Sequence, residues 1–439
     1  MSAMAAPPAA SADPPAAGLR AADGWRYGLL GLPLAFVALP LYVLLPHHYA
    51  STYGVPLAAL GAVLLVARLF DAAVDPLVGR AVDRLYARSV GAVLRVGLIA
   101  AGALALGFGL LFTPPVHAPA ALLAWAALTL ALTYLAYSVL TVAHQAWGAR
   151  LGGDDARQSR IVGWREGLGV PGVLLASVLP SVLGLQATIA TFAVLLGVGW
   201  WAWRAGPWPP LAAAPASMPA SVSPTAPLWL PLQRPAFRRL LAVFMLNGIA
   251  SAVPATLVLF FVQDRLQAPR AWEPAFLGLY FLCAALSIPA WLALVRRLGL
   301  ARGWLLGMAL AILAFIGTFT LGAGDAVVFL AICAASGLAL GADLALPGAL
   351  LAGVIRQAGD RGQAEGAYFG WWNFATKLNL ALAAGLTLPL LGLAGYAPGS
   401  REPQALLALS LAYGLLPCAL KLLAAAALYF TLIRKEPTP

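Results

Sequence analysis

Residues 67–84 read ARLFDAAVDPLVGRAVDR. They continue, without a break, the apolar run PLAALGAVLLV at 56–66. A continuous apolar stretch, as opposed to an alternating one, predicts a helix able to enter a hydrocarbon core of about 30 Å. Asp71 and Asp75 are four residues apart and share one face of that helix. Like charges at that spacing repel. The arrangement is stable if a cation lies between them, if one carboxyl is protonated, or if Arg68, three residues before Asp71, offsets one of them. Hard oxygen ligands suit Na⁺, and a protonatable carboxyl suits H⁺. Ionisable side chains sunk in a bilayer are costly and point to function. The structural alternative places Asp75 with Arg84 in a network at the end of the helix.

The rest of the chain supports a membrane setting. Hydrophobic residues make up 62% and charged residues only 10%, against roughly 25% charged in a soluble domain. A soluble enzyme, a disordered chain and a secreted disulfide scaffold are excluded. Twelve apolar spans are predicted, near 25–47, 55–78, 92–113, 119–148, 162–183, 187–204, 239–262, 274–295, 303–322, 326–347, 368–391 and 404–433. The Ala/Pro-rich residues 1–24 lack a basic n-region and read as a flexible tail, not a signal peptide. The Pro/Ala/Ser-rich stretch 205–238 reads as a linker between six-helix bundles at 25–204 and 239–439. A weak repeat supports two halves: PLVGRAVDRL at 76–85 after span 2, PAWLALVRRL at 289–298 after span 8.

The net charge of +11 carries topology. With a cytoplasmic N-terminus, Arg80, Arg84, Arg88, Arg150, Arg157, Arg160, Arg234, Arg238, Arg239, Arg296, Arg297, Arg302, Arg356, Arg361, Arg434 and Lys435 all fall inside. Only Arg265, Arg270 and Arg401 fall outside. That is the positive-inside bias of an integral protein of a bacterial-type inner membrane with both termini cytoplasmic. It leaves no need for a nucleic-acid partner.

Further polar residues lie inside spans. Lys377 stands about nine residues into span 11, roughly 13 Å deep at 1.5 Å per residue, and needs a carboxylate that span 2 can supply. It either competes with a coupling cation or forms a structural ion pair. Asn373 and Thr376 give nearby polar surface, and Trp371 and Trp372 are either site or interface aromatics. On span 4, Tyr137, Thr141 and Gln145 approximate one face with Ser138 on its flank. His144 reads as a hydrogen-bonded structural residue or a proton relay. Arg165 begins span 5 as a substrate contact or an interfacial base. Asp343 and Glu365 are expected to pair with loop arginines. Lys421 has no evident partner and is placed toward the cytoplasmic end. Cys283, Cys333 and Cys418 match no metal or disulfide spacing and read as small core residues. No GxSxG, HExxH, Walker A or CxxC motif is present.

The segment Gly79-RAV-Asp83-Arg84 is similar to the G-x-x-x-D-[RK] loop signature of the major facilitator superfamily, which implies a conformational latch at Gly79, Asp83 and Arg84. More specifically, residues 67–84, the span 4 sequence YSVLTVAHQAWGARL at 137–151, and the Glu365-to-Lys377 spacing resemble the glycoside–pentoside–hexuronide:cation symporters. The resemblance runs along the whole chain. It implies an all-α membrane protein of twelve transmembrane helices in two six-helix bundles. It implies a cation-coupled (H⁺ or Na⁺) secondary transporter of a sugar or glycoside, without a cofactor, and monomeric. Asp71, Asp75 and Ser138 would bind the cation, with Na⁺ a candidate metal at the two aspartates. Lys377 and Arg68 would balance charge, and Tyr137, Thr141, Gln145, Arg165, Asn373 and Thr376 would meet substrate. The sequence departs from the melibiose-permease branch at Val74, Thr141 and Ala143-His144, and has no charged pair in span 1 near Leu32 and Pro33. The first of these leans toward H⁺, and the others argue against a galactoside. A lysolipid or amphiphile carrier and a drug exporter stay open on the same fold. A non-transporting membrane enzyme or assembly subunit is the remote alternative.

Overall fold

The computed structural model describes residues 19–210 and 227–434, and every regular element among them is helical. The tail before residue 19 and the middle of the 205–238 linker lie outside the described residues. Twelve helical rods follow in order. α1 is broken into Ala21–Gly28, Gly31–Phe36, Pro40–Leu44 and Leu45–Tyr53. Then come α2 (Leu57–Arg88), α3 (Val90–Phe112), α4 (Pro119–Arg150), α5 (Asp155–Val182) and α6 (Gly184–Ala205). The second half holds α7 (Pro235–Arg265), α8 (Glu273–Leu298), α9 (Leu300–Thr320), α10 (Ala326–Gln357), α11 (Glu365–Leu393) and α12 (Pro403–Ile433). The ten from α3 to α12 are long and apolar enough to cross a membrane on length and composition alone.

Local chemistry sets the ends. Pro119, Pro235 and Pro403 open α4, α7 and α12, where a missing N–H costs nothing. The Ser89 side chain accepts from Ala92 N at 3.0 Å to start α3, and Asp154 accepts from Arg157 N at 2.8 Å to start α5. Gly54, at φ 65°, ends α1 in the left-handed conformation that only glycine enters cheaply. Several helices outrun the predicted spans at the end that carries Arg80, Arg84 and Arg88, called here the basic end. α2 runs on to Arg88, α10 runs on to Gln357 and α5 begins at Asp155.

The halves meet where α2 crosses α11 and where α5 packs on α8 and α10. The first crossing is built from glycine. A methyl on Gly79 would lie 2.2 Å from the Gly366 carbonyl oxygen, and one on Gly370 would lie 2.6 Å from that of Asp75. Small residues let the two backbones touch, which is how transmembrane helices gain packing energy without a hydrophobic driving force. At the far end, Asp264 ties α7 to the loop after α11. Its carboxylate accepts from Tyr396 Oη at 2.5 Å and Gly399 N at 2.9 Å. Burial and that carboxylate hold the Tyr396 phenol above its ordinary pKa.

Candidate functional site

At the α2–α11 crossing, four polar side chains converge. Asp71 and Asp75 are buried, at 4% and 0% exposure. The Lys377 ammonium of α11 donates to Asp71 Oδ1 at 2.6 Å and to Asp75 Oδ1 at 2.9 Å, with Asp75 Oδ2 at 2.8 Å. It also reaches Ser138 Oγ of α4 at 3.0 Å, and Ser138 in turn donates to Asp71 Oδ1 at 3.0 Å. The four-residue spacing of the two aspartates thus becomes a jaw on one helix face, with a hydroxyl as its third wall. A tethered cation stands between the jaws. Two carboxylates and one ammonium leave the cluster one negative charge in excess when all are ionised. A buried excess charge is strongly unfavourable, so the cluster has capacity for one more positive charge. Arg68 lies one turn before Asp71, is exposed and stands within electrostatic reach of it, while the Lys377 ammonium touches the carboxylate at 2.6 Å.

A second polar group sits beside the first. Asn373 and Gln145 face each other across the halves at 2.9 Å. With the Gln145 amide turned, its oxygen accepts from both terminal nitrogens of Arg165 at 3.2 Å and its nitrogen donates to Asn373 Oδ1 at 3.2 Å. A guanidinium only donates, so the turned amide is the sound assignment. Arg165 also pairs with Glu166 at 2.6 Å. Tyr137 lies within electrostatic reach of Arg165 and both aspartates. Thr141 is buried one helical turn after Tyr137, with its hydroxyl within reach of the Tyr137 phenol. Together Arg165, Gln145, Asn373 and Thr141 offer donors and acceptors suited to a hydroxyl-bearing solute. Thr376 is exposed, and its hydroxyl bonds back to the Trp372 carbonyl. His144 is stacked on Tyr27 at 4.3 Å with its Nε2 against the Tyr27 carbonyl at 2.8 Å, a structural placement inside the first half.

At the basic end, Asp83 of α2 caps α11. Its carboxylate accepts from Gly366 N at 2.7 Å and Ala367 N at 2.8 Å, two of the orphan donors at that helix start. Arg150 bridges it to Glu365, at 3.3 Å and 2.9 Å, and donates to the Gly362 carbonyl at 2.9 Å. Arg356 of α10 reaches the Gly153 carbonyl at 2.6 Å and Asp155 at 2.9 Å. These ties cross between the halves and close this end.

Four expectations are corrected here. Arg84 is exposed, and the partner of Asp83 is Arg150, because the next residue on a helix faces about 100° away. Glu365 pairs with Arg150 in the last turn of α4, not with a loop arginine. Asp343 pairs with Lys421 at 2.8 Å, inside the second bundle. Lys421 therefore has a partner, and it stands mid-span in α12, some 18 Å from Ile433 at about 1.5 Å per residue. Asn247 accepts from Lys421 at 2.7 Å and donates to Asp343 at 3.1 Å, and Trp304 donates to Asp343 at 2.7 Å. Arg150, Glu166 and Trp304 were not read as site residues. A buried lysine in α12 was the one signal that a carboxylate had to lie opposite it.

Comparison with known proteins agrees with this architecture. The family model described as MFS/sugar transport protein matches residues 26–435. The Inner membrane symporter YicJ of Escherichia coli (strain K12) is 29% identical over 185 residues, 39% of each chain. The Putative glycoside/cation symporter YagG of the same organism is 29% identical over 168 residues, 37% of this chain and 36% of the relative. The matched region thus spans under two fifths of the length of these curated relatives. A bacterial homologue of the iron transporter ferroportin, crystallised in an outward-facing state, superposes with a TM-score of 0.65 at 18% identity, covering 93% of this chain and 100% of that one. At that identity the likeness shows the fold alone.

Proposed function

The chain belongs to the MFS/sugar transport protein family, a family of membrane transporters and not of enzymes, and from that premise we propose that it is a cation-coupled symporter of a glycoside or related sugar. The observation that carries this reading is the Lys377 ammonium held between Asp71, Asp75 and Ser138 at the crossing of the halves. A lysine in that position stands where a mobile cation would bind. Coupling then works by exchange. H⁺ or Na⁺ neutralises the aspartates, Lys377 is released toward α11, and the crossing loosens. The same two helices carry the gate. Asp83 lies eight residues beyond Asp75, about 12 Å along α2, so a change at the ion site is transmitted along a rigid rod to the cap on α11. Relatives named as a glycoside/cation symporter and as an inner membrane symporter support the substrate class and the membrane.

The basic end is assigned to the cytoplasm on the positive-inside rule, with both termini there. Closure by Asp83, Arg150, Glu365 and Arg356 then makes this an outward-facing arrangement. The solute binds next to the ion site, against Arg165, Gln145, Asn373, Thr141 and Tyr137, and the protein acts as a monomer. Uptake of a panel of labelled glycosides into proteoliposomes under an imposed H⁺ or Na⁺ gradient tests the reading. At least one solute should accumulate above equilibrium and lose accumulation when an ionophore collapses the gradient. Gradient-independent movement of every solute contradicts it.

A further inference from the structure

The second bundle contains a cavity that the transport site does not use. It measures about 390 Å³ and is lined from α7, α8, α9, α10 and α12 only. No residue of the first half or of α11 lines it, so it is separate from the Lys377 cluster. Its volume lies in the range of sites for small organic molecules. The walls are chiefly apolar and aromatic, with Phe276, Tyr280, Phe315 and Tyr413 among them. The cavity is half open, with Leu259 and Leu277 of its wall exposed at 45% and 40%, so a small molecule can enter it from outside.

Polar groups converge on it as well. Asp343 and Lys421 both line it. Asp343 Oδ2 accepts only from Lys421, and Lys421 uses two of its three protons, on Asn247 and Asp343. Each therefore retains hydrogen-bonding capacity. Tyr413 is only 2% exposed. Its hydroxyl, like that of Tyr280 and of Ser251, makes no hydrogen bond among the described residues. All three residues line the cavity. The ion pair is matched in charge, one carboxylate to one ammonium, so an ionised ligand would arrive without a counter-charge. We propose that the second bundle holds a separate binding site for a small neutral amphiphile, an aromatic or aliphatic body bearing a hydroxyl, with the body against the aromatic wall that includes Tyr413 and the hydroxyl on Asp343 and Lys421. The site does not depend on the transport reading.

The test uses full-length protein in nanodiscs, a diazirine-bearing para-hexylphenol as photoprobe, and mass spectrometry to map adducts. Adducts are expected on peptides of the cavity wall, competed by unlabelled para-hexylphenol. Hexylbenzene, which lacks the hydroxyl, should compete about fivefold less well, the worth of one hydrogen bond. The double variant Asp343→Asn, Lys421→Met, which removes the ion pair, should weaken competition by a similar factor, and Ser336→Phe should fill the space and remove the adducts. Asp71→Asn should leave labelling intact, so that loss of transport and loss of this site are told apart. Equal competition by hexylbenzene would mean an acyl-chain crevice and overturn the proposal. So would adducts spread over the outer surface, or labelling indifferent to both cavity variants.

Discussion

Lys377 and Lys421 both stand deep in the helix bundle, and their surroundings differ in charge. Lys377 meets two carboxylates and a hydroxyl where α2 and α11 cross between the halves. Lys421 meets one carboxylate and one carboxamide wholly within the second bundle. The first cluster sums to one excess negative charge and the second to zero. Asp343 is further saturated on its other oxygen by Trp304 and Asn247, whereas the Asp71–Asp75 jaw closes on Lys377 and Ser138. A matched pair holds a bundle together and calls for no further charge. An over-supplied pair of acids at a moving interface can take up and give back a cation.

The largest expected effect separates the two clusters outright. Asp71→Asn should leave the protein folded but reduce gradient-driven uptake in proteoliposomes to plain equilibration, because the neutral amide no longer distinguishes Lys377 from a mobile cation. Full accumulation by this variant would break the comparison from the Lys377 side. Next comes the other cluster. Asp343→Asn strands the Lys421 ammonium and should cost about 3–5 kcal/mol of stability, read as a lowered thermal midpoint, while uptake per folded molecule persists. Adding Lys421→Met should recover most of that loss, since the buried charge is gone. A double variant as unstable as the single one would show that the pair is not a simple charge match.

Smaller effects sharpen the picture at the basic end. Asp83→Asn keeps the shape but weakens the cap on α11 by about 1.5–3 kcal/mol, the worth of charged hydrogen bonds. It should raise maleimide labelling of an Ala149→Cys or Ala352→Cys reporter, at small buried helical positions between the halves at that end. Arg84→Ala, one residue along, should change stability by no more than about 0.5 kcal/mol and leave that labelling unchanged, as for an exposed side chain. A strong Arg84 phenotype would return that residue to the latch.

The helical rods were legible because lipid demands long uninterrupted apolar runs. Their ends were less so. Hydropathy reports the hydrocarbon layer, whereas α2 continues to Arg88 and α5 begins at Asp155 on polar, capped turns outside it. The Asp71–Asp75 jaw was readable because both acids sit on one helix, and Lys377 announced itself by depth. The partners of Lys421 were not readable, since Asp343 lies 78 residues away on another helix and only packing joins them. Arg150 was read as a topology marker because nothing local shows that its guanidinium turns inward to Asp83 and Glu365. The Gly79–Gly366 contact likewise exists only in the crossing of two helices.

The central claim is that Lys377 and a mobile cation compete for Asp71, Asp75 and Ser138. It is tested without knowing the solute, by the thermal midpoint of purified protein titrated with Na⁺ and with H⁺. A ligand of the folded state raises that midpoint with concentration. The wild type should be stabilised by one of the two ions. Lys377→Met should respond at a concentration at least about tenfold lower, equivalent to about 1.4 kcal/mol of relieved competition, and Asp71→Asn should not respond at all. Superimposable curves for all three proteins would contradict the account.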